Sequence, residues 1–287
     1  MGLGALASAA IIYPDPTIVL QSELLLKFQH AGYERVVRPM ILNPDQIANR
    51  TKLILTGLYL AEFDSVGLKR LGFRSFAEAF NVVGYALGSK AASIKNYRDE
   101  FDPLFPNQRQ GWHRRPIRDY CLKVFEEYKS LDLDLFTGLI KSFVGYDENL
   151  QSQVQENDQR EESAFAKRLM TGLAAEHYFE SVQPTLPEFQ GLESENTTRL
   201  GCGYDSARGN KFLAVEVKGL RGLTGSLSLT PREYEVATAM CDRFYLFVVK
   251  NFQKSPFHEI FPDPLSSRLG FARIERKVIQ VSWLASV

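Results

Sequence analysis

The chain has 287 residues, 45% of them hydrophobic and 24% charged, with 34 Lys and Arg balanced by 34 Asp and Glu. This is the make-up of a soluble globular protein with room for two domains. A net charge of zero means that whole-chain electrostatics do not announce a nucleic acid, so any basic surface must come from uneven distribution. The three cysteines, Cys121, Cys202 and Cys241, form no CxxC pair, and no histidine has a metal-ligand companion at i+3 or i+4, which argues against a zinc enzyme and for a reducing cytosol. Cys202 has no helix N-terminus or histidine partner to activate it and reads as small-residue filler.

The opening GLGALASAAII is apolar but short and lacks a positive flank, so it reads as a packed segment rather than a signal. No run reaches the roughly 18 apolar residues of a membrane span. Residues 17 to 61 give two helical patterns, one on Leu20, Leu24 and Phe28, the other on Ile47, Ile54, Leu58 and Ala61 after Asn43-Pro44. From Ser75 the spacing predicts a helix over 76–87, a stop at Gly88, and a second helix from Ser89 to Phe101, the outline of a helix-turn-helix.

That second helix carries Lys90, Ser93, Lys95, Asn96 and Arg98, types able to contact phosphates and base edges, and the turn after it adds Arg109, Trp112, Arg114 and Arg115. Between Lys90 and Arg118 stand seven basic residues (90, 95, 98, 109, 114, 115 and 118) against three acids, Asp99, Glu100 and Asp102, so this is the expected DNA-binding surface. Residues 116 to 144 predict two further helices with an apolar stripe of Leu131, Leu135, Leu139 and Phe143. A polar, acidic stretch then marks a linker over 149–161, between an expected helical domain, 1–148, and a second domain, 162–287.

The second domain predicts a helix over 162–182, a hairpin over about 199–218, a strand over 225–229, a helix over 231–241 and a strand over 243–250, with a last strand from Val278 to Trp283. Thr230, Pro231 and Glu233 form a capping-box start, which accounts for Glu233 structurally. Ser226 and Ser228 alternate with Leu227 and Leu229 and are expected on a solvent face. Phe212 to Val217 is a buried-strand run that nevertheless ends with Glu216 and Lys218, two residues apart and so on one face, with Asp205 eleven positions before Glu216 in a Gly-rich turn. Two carboxylates and an ammonium brought together by a hairpin suit a hard divalent cation and phosphodiester hydrolysis.

GYD, AVEVKG, GSLSL, TPREYEVA and RFYLFVVKN, in that order, resemble the core of the PD-(D/E)XK nuclease superfamily, and most of all the nuclease-like domain at the C-terminus of the NO VEIN protein. The resemblance covers about residues 160 to 252. It implies Asp205, Glu216 and Lys218 as the catalytic set, Asp205 and Glu216 as ligands of Mg²⁺ or Mn²⁺, and Glu176 in GLAAEHYF as an accessory acid. The expected architecture is therefore α+β: an all-helical, helix-turn-helix or winged-helix-like module, followed by an α/β nuclease core.

Size and layout resemble type II restriction endonucleases, including the BisI-type enzymes that require 5-methylcytosine. This implies double-stranded DNA as substrate, a homodimer and a prokaryotic cytoplasm. A DNA-binding protein without catalysis and a structure-specific repair nuclease remain the alternatives.

Overall fold

The computed structural model describes residues 44–109, 115–144, 159–196, 204–208 and 211–275. The expected helix before residue 43, most of the linker, the strand from Val278, and Trp112, Arg114 and Cys202 lie outside the described residues. In chain order the helices are α1 (Asn49–Glu62), α2 (Asp64–Arg70), α3 (Phe76–Ala86), α4 (Ala91–Phe101), α5 (Asp119–Tyr128), α6 (Leu133–Ser142), α7 (Gln159–Val182) and α8 (Pro231–Met240). The strands are β1 (Glu193–Asn196), β2 (Tyr204–Arg208), β3 (Lys211–Gly219), β4 (Phe244–Lys250) and β5 (Phe257–Pro262). None of the described helices is long and apolar enough to cross a membrane.

The chain divides into two compact units, one of residues 1–71 and 95–153 and the other of 72–94 and 154–287. Residues 72–94, assigned to the helical domain on linear order, thus belong with the C-terminal unit.

In the first unit α1 is buried continuously from Leu53 to Ala61, which makes it the core helix. Its Tyr59 hydroxyl lies 3.0 Å from the Gly67 carbonyl oxygen and 2.7 Å from the Thr137 hydroxyl, and burial pushes its pKa up to about 12. The Tyr59 ring meets Phe136 edge-on at 5.4 Å. A Cβ on Gly57 would come within 2.4 Å of the Tyr97 Cβ, so α1 and α4 touch where a side chain is missing. The buried positions of α6 are Phe136, Thr137, Ile140 and Lys141, with Phe143 just beyond it. Leu135 and Leu139, expected in its stripe, are only half-buried, one step round the helix from the true seam.

In the second unit the sheet order is β1-β2-β3-β4-β5, all antiparallel except the parallel pair β3–β4, which α8 connects. β4 is buried on both faces. Phe247 meets Phe179 of α7 at 4.9 Å on one side, while Phe244, Leu246 and Val248 pack on the other. α7 also lies against β3 so closely that a Cβ on Gly219 would come 2.8 Å from the Thr171 carbonyl oxygen and 3.2 Å from the Ala175 Cβ.

α3 is capped by Ser75, whose Oγ accepts the Glu78 N–H, and Gly88 follows in the left-handed region at φ 62°. It is buried from Glu78 to Gly84 and again at Ala86, and Asn81 Nδ2 donates to the carbonyls of Phe252 and Lys254, 2.8 Å each. The helix-turn-helix outline is present, but its first helix is a core element of this unit. The expected strand over 225–229 is absent, since these residues pair with no ladder, and β1 and β5 were not expected.

Two glycines of the first unit's helices, Gly57 of α1 and Gly138 of α6, give opposite expectations. Gly57→Ala should lower stability by about 1–3 kcal/mol through overpacking. Gly138→Ala, where nothing lies within 4 Å of the new Cβ, should raise it by about 0.4–1 kcal/mol by restricting the unfolded chain. Urea unfolding of both variants checks the pair, and a neutral Gly57→Ala would refute the close approach.

Candidate functional site

The third strand places the candidate residues. Glu216 and Lys218 share one face with Ala214, and β2 pairs Asp205 with Ala214, so position 205 falls on that same face by register. The Asp205 side chain lies outside the described ones. On the opposite side of the strand Val215, Val217 and Gly219 lie toward α7, as the alternation requires.

The face with Glu216 is not open. Ala214 packs with Ala237 and Phe244, and Leu246 and Val248 pack with Phe261, Leu220, Leu227 and Leu229. The charged pair therefore sits between two apolar clusters, and Glu216 is only 8% exposed. The side chains of 226–229 alternate as expected, Ser226 and Ser228 exposed and Leu227 and Leu229 packed inward, although the segment joins no sheet.

A carboxylate buried this deeply needs a compensating charge. Lys218 supplies it: its Nζ lies 2.6 Å from Glu216 Oε1 and 2.9 Å from Glu233 Oε2. Burial raises the Glu216 pKa, the Lys218 ammonium pulls it back, and Glu233 and Glu176 push it up again, for a net rise. For Lys218 burial acts downward, but the two carboxylates outweigh it and the ammonium is held above its ordinary range. Glu176 on α7 is half-buried and within electrostatic range of both. Its pKa is raised, by burial first, with His177 and Lys218 opposing and Glu180 adding to the rise.

Among the described residues no three His, Cys, Asp or Glu side chains form a cluster able to hold a metal ion. The structure thus brings Glu216, Lys218 and Glu176 into one neighbourhood and adds Glu233, which the sequence explained away as a cap. It is a cap: Thr230 N–H donates to Glu233 Oε2 at 2.9 Å and Glu233 N–H to Thr230 Oγ1 at 3.2 Å. The same Oε2 also receives Lys218, and no sequence signal distinguishes that second role.

The expected DNA-binding residues are placed differently from the sequence expectation. Lys90, Asn96 and Arg115 are exposed, and Ser93 is half-buried, its Oγ accepting from Ser89 Oγ at 2.8 Å. Arg98 is only 8% exposed and bonds Asp99 at 2.9 Å, so it is not presented to read a base. Lys95 pairs with Asp99 at 2.8 Å, Arg109 with Asp102 and Asp64, and Arg118 with Glu100. All three acids counted against the basic patch are buried and each neutralises at least one of its cations, so much of the apparent excess is internal ion pairing. Arg118 also lies over the rings of Tyr97 and Tyr120, at 5.5 and 4.9 Å.

With this geometry in place, comparison with known proteins finds that residues 174–261 match the family model described as Protein NO VEIN, C-terminal. The match spans Glu176, Asp205, Glu216, Lys218 and Glu233. No curated protein and no solved structure matches the chain.

The ion pairs of the first unit fix an acid limit. Burial would raise the Glu100 and Asp99 pKa values, but Arg118 on one, and Lys95 and Arg98 on the other, more than offset it and hold both below the usual carboxylate range. Groups with depressed folded pKa contribute stability that is complete above their unfolded values, about pH 4, and is lost as pH falls through the folded ones. Glu100→Gln should therefore destabilise at pH 7 and flatten the loss of stability between about pH 5 and pH 2. Urea midpoints measured across that range check it, and an unchanged slope would mean that Glu100 is not the linked group.

Proposed function

We propose that the second unit is a PD-(D/E)XK nuclease domain that uses Mg²⁺ or Mn²⁺, and that the chain is a type II restriction endonuclease hydrolysing phosphodiester bonds of double-stranded DNA. The observation that carries this reading is the buried Glu216 with an ammonium 2.6 Å away, on the strand face shared by position 205 and inside the family match.

The donor set fits a hard cation. Mg²⁺ takes oxygen ligands and is commonly held by one or two carboxylates with water completing its shell. Burial gives Glu216 a preference for a neighbouring positive charge, and Asp205 and Glu216 are the two residues that would hold the ion. When bound, the ion would act as a Lewis acid toward a phosphate oxygen and lower the pKa of a water.

Lys218 has three donors, and the described contacts use two of them, on Glu216 and Glu233, leaving one for a water or a phosphate oxygen. Its role is to orient the attacking water and to stabilise charge as the phosphorus centre crowds. Glu176, half-buried on α7, acts at longer range as an accessory acid. Lys90, Lys95, Asn96 and Arg115 are the exposed members of the expected DNA-contact set on this stretch, Lys95 being paired with Asp99, and Ser226 and Ser228 are exposed as well. A homodimer on a two-fold target, a requirement for 5-methylcytosine and a prokaryotic cytoplasmic setting extend the same reading.

The test incubates the protein and Mg²⁺ with methylated and unmethylated plasmids. Discrete fragments from either plasmid support the nuclease, and fragments from the methylated one alone support the modification requirement. Asp205→Ala and Lys218→Ala should each reduce cleavage by about 10²-fold or more while DNA binding without metal persists. Glu176→Gln should lose less than Glu216→Gln. Wild-type binding with no cleavage under any metal would replace the enzyme with a DNA-binding domain.

A further inference from the structure

Glu233 opens α8 and is half-buried, and its Oε2 carries two loads at once. It accepts the Thr230 backbone N–H at 2.9 Å, closing the capping box, and lies 2.9 Å from Lys218 Nζ on β3. A capping box does not need a charge at this position, because Gln closes it as well as Glu. A largely buried ammonium does gain from one, since a full negative charge 2.9 Å away offsets its desolvation, which a neutral amide oxygen does far less. The negative charge of Glu233 is therefore accounted for by Lys218 and not by the helix start. Of the two carboxylates on Lys218, Glu216 is the candidate metal ligand, so Glu233 is the acceptor with no other partner in the proposed chemistry.

We propose that Glu233 is a positioning residue: it holds the Lys218 ammonium at the site independently of Glu216 and ties it to the rigid start of α8. The proposal rests on the nuclease reading above. It adds a fourth acid to the site, one that touches neither substrate nor metal and acts only through Lys218.

The test is Glu233→Gln, which keeps the box and removes the charge. Three readouts are expected together. The thermal midpoint falls by no more than a few degrees, because the cap and the Glu216 pairing of Lys218 survive while one compensating charge is lost. kcat falls about 10- to 100-fold, in the range found for outer-shell partners of catalytic groups, with KM for DNA little changed. The ¹H–¹⁵N ammonium resonance of Lys218, recorded without metal or DNA on lysine-labelled protein and assigned by its loss in Lys218→Arg, weakens or vanishes as the ammonium exchanges faster with water.

Cleavage by wild type with full kcat in Glu233→Gln would overturn the positioning role and leave the nuclease standing. An unchanged Lys218 resonance would also overturn it, whatever the kinetics. A wild type that does not cleave while its Lys218 resonance responds to Glu233→Gln would sink the nuclease reading, and with it the catalytic part of this proposal. A large drop in thermal midpoint with an unchanged resonance would return Glu233 to the helix start alone.

Discussion

A negative charge can sit inside a sheet face only where a positive one is delivered to it in hydrogen-bonding geometry. Around Glu216 this condition is met by Lys218, two residues on along the same strand and leaning on Glu233 from the following helix. The apolar clusters on either side, around Ala214 and around Leu246, keep water from doing the same work. The candidate chemistry thus depends on three charged groups compensating one another where each alone would be costly.

The same rule shapes the junction of α3 with α7 and the segment after β3. Glu78 of α3 is fully buried, and burial would raise its pKa, but Lys167 of α7 at 2.5 Å and Arg221 beyond β3 at 2.9 Å outweigh this and hold it low. One carboxylate therefore fastens three elements that are far apart in sequence. With the Asn81 bonds to the 252 and 254 carbonyls, it explains why residues 72–94 fold with the C-terminal unit although a long insertion follows them.

Much of this was legible in the sequence, and the remainder was hidden for physical reasons. The capping box at Thr230, the glycine stop at Gly88, the long helix ending at Val182 and the strand pair 211–219 and 244–250 follow from local patterns, and the structure has them. β1 was not legible because Glu193–Asn196 is wholly polar and forms a strand only by pairing with β2. The segment 225–229 has the alternation of a strand, yet that alternation only packs two leucines inward, since burial and ladder hydrogen bonding are separate conditions. Counting charges along 90–118 misjudged the surface because sequence does not tell which cations face Asp99, Glu100 and Asp102 in the fold. Glu233 escaped notice because a sufficient local explanation, the cap, was already at hand.

Gly219 sets a distance by what it lacks. It follows Lys218 directly, and its bare Cα rests against α7 at Thr171 and Ala175, the latter directly before Glu176. Helix and strand approach to a separation that no side chain larger than hydrogen would permit, and the acid on one and the ammonium on the other ride on that contact. The separation of the two backbones that carry them is thereby set by main-chain contact, which makes it sensitive to a single methyl group. A site built this way is tuned less by exchanging its charged residues than by shimming the joint beneath them.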